Sequence, residues 1–357
     1  MLFQIAPLES PVYSAVDMAP SAQAAVDRVN DAGGVNGRKL KLISCNDKYD
    51  PSEALRCAKK AVQENATAVI GSLSAFGDQT GPILATKGIP NIGANGLVPS
   101  DYTSKLSYLL DPGVAAYTAA PVILNKYAGS KKIASFSVEN PSNAVTDGYF
   151  QAGAKKVGLK LVKEVHVPAD AIDWVTYVKQ IESAGADGIV STLPPEGTLK
   201  LWKALETAEL TDKLPLTVTA TSTSEALLKQ AGVKATANTY GTFEAPSITS
   251  GEKWANDYLA DMKKTAPDVA PTSVGLRAWM SVQFVADVMQ GINGDVDSAS
   301  LVKALGSVHD KDFMWIKGVS FDEPGKDKAL PRMFVTSVGA TKVVDGKYSP
   351  LDPVDPF

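Results

Sequence analysis

The residues best suited to redox or metal chemistry in this sequence are two cysteines and two histidines. Cys45 ends an apolar run, and Cys57 follows about a dozen residues later in a segment with helical patterning. A strand followed by a helix that packs back on it can bring two such Cα atoms to disulfide distance, so we predict a Cys45–Cys57 bridge. The alternative is a pair of buried free thiols in a reducing compartment. The state of these cysteines therefore indicates the compartment.

The two histidines do not form a recognisable metal motif. His166 and His309 are far apart in the sequence, and neither HExxH nor paired-cysteine spacing is present. We interpret both as structural or surface residues, and we predict neither a metal ion nor a cofactor. The sequence also lacks a GxSxG nucleophile turn, a GxxxxGK[ST] phosphate loop and a GxGxxG fingerprint. We therefore do not expect an enzyme.

Length, composition and charge exclude several classes of protein. The chain has 357 residues, of which 45% are hydrophobic and 21% charged, which is ordinary for a folded protein and long enough for two domains. A net charge of −4 without a dense Lys/Arg run argues against a nucleic-acid partner. No apolar stretch approaches the roughly 18 residues that cross a bilayer, and the N-terminus lacks the pattern of a secretion signal. We expect a soluble chain, with any signal sequence already removed.

Apolar strand-like runs alternate with amphipathic helical stretches, which predicts an α/β fold with parallel sheets. Gly33 and Gly34 should end the helix over 21–30, because glycine adopts the left-handed conformation that closes a helix. The pattern starts afresh near Ala119, so we expect a second parallel-sheet domain there. The proline-rich tail 349–357 should be irregular. The predicted strands are 2–6, 40–44, 68–71, 89–92, 132–138, 161–166, 188–192, 216–220, 319–321 and 333–338.

Several local strings match a known protein family. The most specific runs from Ala25 to Leu40 and contains the Asp31-Ala32-Gly33-Gly34 helix stop. The others are 6–8, 47–51, 68–74, 88–90 and 321–322. On these strings the chain resembles the periplasmic solute-binding proteins of branched-chain amino acid-type ABC transporters, the leucine/isoleucine/valine-binding protein family. The likeness extends over nearly the whole chain.

The resemblance implies the type I periplasmic binding protein fold. Two doubly wound parallel-sheet lobes would be joined by three crossovers, with a ligand cleft between them and hinge closure on binding. Lobe one would take 1–118 and 244–317, and lobe two 119–243 and 318–357. The resemblance also implies a monomer, periplasmic or anchored at the cell surface, that delivers a small-molecule ligand to the membrane permease of an ABC transporter. An amino acid or amide sensor domain on the same fold is the alternative.

In lobe one, the first expected ligand contact is the turn over 72–77. Its backbone N–H groups precede a helix that begins near Asp78, so they can point at an anion. In the family, a serine of this turn holds the ligand carboxylate. Ser74 falls at that position, and Ser72 is the second choice. A plain helix cap is the alternative interpretation of Ser74.

The second expected contact in lobe one is the turn over 93–97. In the family it clamps the carboxylate and amine of the ligand. Asn95 and Gly96 are the expected contacts here, through backbone and side-chain amide groups. Leu97 replaces the threonine common in the family, which removes a hydroxyl partner.

In lobe two, the sequence departs from the amino-acid binders of the family. Their acidic residue falls at Ala220 here, flanked by Thr221 and Ser222, and their aromatic residue falls at Pro194. A buried ammonium without a charged partner is unfavourable by several kcal/mol. We therefore expect a small carboxylate with an apolar or aromatic body, rather than a standard α-amino acid. A one-residue slip of the alignment would instead bring in a carboxylate from Glu196, Glu225 or Glu244.

Aromatic side chains are candidates for the apolar walls of the site. Trp279 lies where the family often has a tyrosine facing the cleft, although an aromatic residue at helical spacing is more often part of the core. Tyr102 is a further candidate. The polar residues after the first strand of lobe two, Ser142 among them, are either contacts or an ordinary loop. The predicted ligand-binding residues are Ser72, Ser74, Ala75, Phe76, Asn95, Gly96, Leu97, Tyr13, Asn140, Asn143, Thr192, Pro194, Thr221, Phe243 and Trp279.

Overall fold

The computed structural model describes residues 1–10, 13–140, 143–168, 170–219 and 225–357, without the side chain of Glu225. Among these residues, none of the helices combines the length and the apolar character needed to cross a membrane.

Contacts between Cα atoms divide the chain into two compact units. Unit 1 comprises Met1–Gly113 and Ala245–Val335, and unit 2 comprises Val114–Glu244 and Thr336–Phe357. The sequence-based boundaries assign 318–335 to the second lobe. The contacts group this segment with unit 1 instead, because Val319 and Phe321 are buried in the core of that unit.

Unit 1 contains a five-stranded parallel sheet. Its strands are β1 (Leu2–Ala6), β2 (Leu42–Asn46), β3 (Ala68–Ile70), β4 (Asn91–Ile92) and β5 (Ser107–Tyr108). They lie in the order β2-β1-β3-β4-β5. Every residue of β1 is buried, as expected of a central parallel strand covered on both faces. Its alternate residues enter different clusters: Leu2 and Ala6 in one, Phe3 and Ile5 in the other.

Helices cover both faces of this sheet. The helices of unit 1 are α1 (Met18–Asp31), α2 (Pro51–Gln63), α3 (Gly77–Ala85), α4 (Pro99–Thr103), α11 (Lys253–Thr265), α12 (Ser273–Gln290) and α13 (Ser298–Leu305). The cluster of Leu2 draws on α1 and α12, whereas the cluster of Phe3 draws on α2 and α3. A short hairpin of β11 (Lys311–Phe313) and β12 (Ile316–Val319) completes the unit.

The predicted stop after the first helix is confirmed. Gly33 and Gly34 have φ angles of 103° and 76°, in the left-handed region. A Cβ on Gly34 would lie 2.3 Å from the carbonyl oxygen of Arg38, so the turn that returns the chain to β2 requires glycine there.

The predicted disulfide is also confirmed. Cys45 in β2 and Cys57 in α2 are bonded, with Cα atoms 5.7 Å apart. The start of α2 is fixed nearby, because the Asp50 side chain accepts the backbone N–H groups of Ser52 and Glu53. The strand and the helix that follows it are therefore joined covalently within unit 1.

Unit 2 contains a seven-stranded sheet. Its strands are β6 (Ile133–Val138), β7 (Leu161–Val167), β8 (Gly188–Thr192), β9 (Leu216–Thr219), β10 (Thr239–Phe243), β13 (Val338–Val344) and β14 (Lys347–Val354). The order is β14-β13-β10-β9-β8-β6-β7, and only the pairs that involve β13 are antiparallel. The unit's helices are α5 (Ala115–Ile123, continued by a π turn, Leu124–Ala128), α6 (Asn143–Lys156), α7 (Val175–Ser183), α8 (Pro195–Thr207), α9 (Glu225–Ala231) and α10 (Val233–Thr236).

The prediction of an irregular tail was wrong. Strand β14 pairs antiparallel with β13, and Pro350 lies opposite Thr341. Because β14 is at the edge of the sheet, one side of it has no neighbouring strand, so a proline without an N–H can be accommodated.

We expect the disulfide to contribute about 3 kcal/mol to the free energy of unfolding, because it closes a short loop in the unfolded chain. The variant in which both Cys45 and Cys57 are alanine should have a free energy of unfolding lower by about that amount. Its midpoint in urea unfolding should therefore be lower than that of wild type. Wild-type protein treated with a reductant provides the control and should match the variant. Equal unfolding free energies for oxidised and reduced wild type would contradict the expectation.

Candidate functional site

The first predicted turn joins β3 to α3 at the carboxyl end of the strand. Ser72 is buried there, and its Oγ accepts the backbone N–H of Ile5 at 3.1 Å. The carbonyl oxygen of Ser72 accepts the N–H of Asn95 at 2.8 Å. Ser72 therefore connects β1 to the turns after β3 and β4, which is a structural role that the sequence did not reveal.

Ser74 is oriented by a buried carboxylate. Its hydroxyl donates to Oδ2 of Asp47 at 2.7 Å, and its Oγ is 3.4 Å from the backbone nitrogen of Phe76, which donates to it. Burial raises the pKa of Asp47, against the lowering effect of the hydrogen bond from Ser74. Because a hydroxyl has one hydrogen, Ser74 cannot donate to a ligand carboxylate while it donates to Asp47. Sequence reasoning missed Asp47, since it follows a different strand.

The second predicted turn follows β4. Asn95 is only 6% exposed, and its Nδ2 has no hydrogen-bond partner among the described residues. A Cβ on Gly96 would lie 2.2 Å from Oη of Tyr102, and this hydroxyl donates to the Gly96 carbonyl at 2.7 Å. Glycine at 96 is therefore required by the close approach of Tyr102. The side chain of Leu97 is exposed.

The two turns line one small pocket within unit 1. Ser72, Ser74, Gly77, Asn91, Asn95 and Asp101 are among its lining residues. The pocket has room for about one water molecule, so it is too small to hold an organic ligand itself. It lies beneath the turns at the carboxyl ends of the parallel strands, where open α/β sheets bind ligands.

Several backbone N–H groups of the two turns donate no hydrogen bond to the described part of the protein. Those of Ala75, Gly77 and Gly96 have no protein acceptor among the described residues. Gly77 begins α3, so the positive end of that helix adds to the donors. Uncommitted donors at a helix N-terminus suit a carboxylate or another small anion.

Asp101 shapes the second turn, and sequence reasoning missed it. Its Oδ2 accepts the backbone N–H groups of Leu97 at 2.9 Å and Val98 at 3.1 Å. Burial raises the pKa of Asp101 to about 6, in spite of these two hydrogen bonds. A carboxylate three or four residues after the turn is the only sequence signal that could have indicated it.

The aromatic candidates of unit 1 lie in different environments. Trp279 is buried in the core, where its Nε1 donates to Asp261 at 3.0 Å and Arg28 lies over its ring. This packing favours the core interpretation of Trp279 over a wall of the site. Phe76 is half-buried at the first turn and packs edge-to-face with Tyr49. Tyr13 is exposed.

In unit 2, Asn140 and Asn143 occupy the connection between β6 and α6. Asn143 is the first residue of α6 and is buried, and its Oδ1 accepts the backbone N–H of Asn140 at 2.5 Å. Its Nδ2 faces Ser137 and His166. Asn143 is therefore engaged within unit 2, whereas the Asn140 side chain is hydrogen-bonded to Val138 in an exposed position. Ser142 lies outside the described residues.

The turn between β8 and α8 carries two further predicted residues. Thr192 ends β8 and is half-buried, and Pro194 is exposed and immediately precedes α8. Glu196, one of the acidic residues considered for a shifted alignment, is exposed and pairs with Lys200 at 3.0 Å. Ala220, Thr221 and Ser222 lie outside the described residues, as does the side chain of Glu225.

Phe243 ends β10 and packs edge-to-face with Tyr348. Glu244 follows it directly and acts on Tyr117, whose pKa is raised to about 12 by burial first and by Glu244 second. Tyr149 stacks on Tyr117. Unit 2 thus holds a carboxylate at the end of β10 whose charge acts on Tyr117.

The sequence is similar to those of known periplasmic binding proteins. Residues 5–342 match the family model described as "Periplasmic binding protein". Over 206 residues the chain is 28% identical to the Leu/Ile/Val-binding protein BraC3 of Rhizobium johnstonii, with 55% of each chain covered. The chain thus spans about half the length of the curated relatives that it matches.

The fold is similar to those of solved structures over nearly its whole length. An extracellular ligand-binding receptor from Verminephrobacter eiseniae has a TM-score of 0.80 at 21% identity, with 98% of this chain and 99% of that chain covered. The branched-chain amino acid transporter substrate binding protein LivJ from Streptococcus pneumoniae, solved with isoleucine, has a TM-score of 0.76 at 17% identity, with 99% of both chains covered. The predicted fold class is confirmed.

The raised pKa of Asp101 predicts a specific pH dependence of stability. Because the folded protein holds the proton more tightly than the unfolded chain, the contribution of Asp101 is present below about pH 4 and is lost as the pH rises through about 6. Between pH 4.5 and 7.5, the free energy of unfolding of wild type should fall by about 2 kcal/mol more than that of Asp101→Asn. Urea unfolding at both pH values measures this difference.

Asp268→Asn is the matched control, because Asp268 is an exposed aspartate of the same unit that does not contribute to the raised pKa of Asp101. Its pH dependence should follow that of wild type. Identical pH dependence in wild type and Asp101→Asn would contradict the prediction.

Proposed function

Because this chain belongs to the periplasmic binding protein family, we propose that it is an extracytoplasmic solute-binding protein of an ABC importer. Its activity would be to capture a small organic solute that carries a carboxylate and to present it to a membrane permease. The Cys45–Cys57 disulfide supports an oxidising compartment and so favours transport over a cytosolic amide sensor. Binding, without catalysis, would be the whole activity.

The observation that carries this proposal is the set of uncommitted donors in unit 1. The backbone N–H groups of Ala75, Gly77 and Gly96 lack protein acceptors among the described residues. The buried Nδ2 of Asn95 also lacks one within the described part of the chain. Asn95 and Gly96 are buried, and buried donors without partners are unfavourable, whereas Ala75 and Gly77 are half-buried. A ligand carboxylate would satisfy several of these donors at once. Ser74 would support the turn through Asp47 rather than bind the ligand.

The residues around the first turn indicate the chemistry of the part of the ligand that lies beyond its carboxylate. Phe76 and Tyr49 provide an aromatic pair beside the first turn. The position at which amino-acid binders of the family have an acidic residue is Ala220, so no ammonium partner is expected there. We therefore propose an aromatic or other apolar carboxylate as the ligand.

An amino acid is the alternative ligand, and one observation favours it. Glu244 lies directly after β10, where its charge acts on Tyr117, and it is a carboxylate that could meet an ammonium group. The two ligand classes differ in whether Glu244 contributes to binding.

Titration calorimetry with matched ligands separates the functional groups. 4-Methylpentanoate has the side chain and carboxylate of leucine without the ammonium, and 3-methylbutylamine has the ammonium without the carboxylate. We expect 4-methylpentanoate and aromatic acids such as phenylacetate to bind at least about tenfold more tightly than the amine, because the anion contacts are the stronger ones. Leucine and valine should bind more weakly than the acids.

Glu244→Gln provides the control for this series. We expect it to leave the affinity for the acids unchanged, since they carry no cation. Tight binding of leucine alone, lost in Glu244→Gln, would overturn the carboxylate proposal in favour of an amino acid.

Capture by hinge closure predicts a change in shape on binding. Ligand contacts that form only in a closed state shift the population toward it. Small-angle scattering should therefore give a smaller radius of gyration with saturating acid than without it. The weakly binding amine, at a concentration well below its dissociation constant, is the control and should leave the profile unchanged. An unchanged profile with a tightly bound acid would contradict closure.

A further inference from the structure

Helix α6 presents a polar face to the edge of the unit 2 sheet. Asn143, Asp147 and Gln151 recur every four residues, so they lie on one side of the helix. Opposite them, Glu164 and His166 are two residues apart on β7 and share a face of that strand. The contacts follow this order: Asn143 faces His166, Asp147 faces His166, and Gln151 donates to Glu164 at 2.6 Å.

Three side chains of this layer converge. The ligating atoms of Asp147, Glu164 and His166 all lie within 4.8 Å of one another. Oδ2 of Asp147 and Nε2 of His166 are 3.0 Å apart. Two metal bonds of about 2.1 Å that meet at an angle between 90° and 110° place their ligand atoms about 3.0 to 3.4 Å apart. Glu164 is exposed and so is free to adjust its side chain.

The Asp147 carboxylate gives an independent indication. Asp147 is only 4% exposed, and its Oδ2 has no hydrogen-bond partner among the described residues in spite of its closeness to His166. The two atoms are therefore near each other without the alignment of a hydrogen bond. That geometry is expected where a carboxylate oxygen and an imidazole nitrogen both point at a third atom.

The other side of the His166 ring is held by polar groups. Nδ1 lies 2.9 Å from Ser137 Oγ. The Asn143 amide is oriented because its Oδ1 accepts the N–H of Asn140. Its amide nitrogen lies near Ser137 Oγ and the carbonyl of Val138, and it is also 2.7 Å from Nδ1 of His166. Because an amide nitrogen only donates, Nδ1 accepts in the absence of an ion, and the ring proton is on Nε2, toward Asp147. Metal binding would displace that proton and free the Nε2 lone pair for the ion, with the polar groups at Nδ1 as second-shell contacts.

We propose that Asp147, Glu164 and His166 bind one divalent transition-metal ion of the Zn²⁺ class, with water completing the coordination. One imidazole and two carboxylates form a ligand set that suits Zn²⁺ and its neighbours, whereas Mg²⁺ and Ca²⁺ prefer oxygen ligands alone. The ion would join α6 to β7 and would neutralise the buried Asp147. This site revises the sequence-based expectation of no metal, and it does not depend on the proposed transport function.

The test uses the full chain, purified without a histidine tag and treated with a chelator. Titration calorimetry with Zn²⁺ should give one ion per chain, and Mg²⁺ should not compete. Co²⁺ should give the visible absorption of a site with nitrogen and oxygen ligands. Because even second-shell changes weaken metal binding about 10- to 100-fold, His166→Gln should weaken Zn²⁺ binding by about 100-fold or more, and Glu164→Gln by about tenfold or more.

His309→Gln is the matched control. His309 is the other histidine of the chain and lies exposed, 2.9 Å from Asp322. This variant should bind Zn²⁺ as wild type does. Circular dichroism verifies that each variant is folded. Glu164→Gln keeps the test valid if His166→Gln does not fold, because Glu164 is exposed whereas His166 is half-buried. Absence of Zn²⁺ binding, binding by His166→Gln and Glu164→Gln equal to wild type, or an equal loss in His309→Gln would each overturn the proposal.

Discussion

The constraint on which unit 1 depends is that buried backbone N–H groups must find acceptors. Parallel strands all end at one edge of a sheet, and the turns after them have no neighbouring strand to supply carbonyl oxygens. A side chain does this instead in the second turn, where Asp101 accepts the N–H groups of Leu97 and Val98. Near the end of β1, the Ser72 hydroxyl likewise accepts the N–H of Ile5. The N–H groups that remain without acceptors define where an anion can be held.

This constraint also explains why two carboxylates lie beside a site suited to an anion. Asp47 and Asp101 accept hydrogen bonds from Ser74 and from the second turn, so their lone pairs are engaged within the protein. Their pKa values are raised mainly by burial, which shows that desolvation outweighs those hydrogen bonds. The carboxylates shape the turns, and the anion contacts are left to neutral backbone donors and to Asn95.

The fold was largely predictable because its signals are local. The glycine stop after α1 and the cysteine pair of β2 and α2 depend on residues close in sequence, and both were confirmed. The β14 strand was missed because the allowance for Pro350 comes from its position at a sheet edge, and sheet order is not a local property. The sequence-based boundary between the two lobes at 317–318 precedes the change of unit after Val335, because the packing of Phe321 in the core of unit 1 is also non-local.

The site was less predictable for the same reason. The resemblance indicated the turns at 72–77 and 93–97, but the partner that takes the Ser74 hydrogen, Asp47, is on another strand. Trp279 has the helical spacing of both a core residue and a site wall, and only its contacts with Asp261 and Arg28 distinguish the two.

Helix α6 has one face with hydrophobic packing and another with polar packing. On one face Phe150 is buried against Tyr117, and a Cβ on Gly153 would clash with the backbone of Thr118, so α5 and α6 approach closely. On the other face the helix meets Glu164 and His166 of β7 through polar contacts. Such a contact fixes both the position and the orientation of the helix, because hydrogen bonds act only at short range and in defined directions. At this edge of unit 2, the directional contacts of Asn143, Asp147 and Gln151 therefore fix how α6 lies against β7.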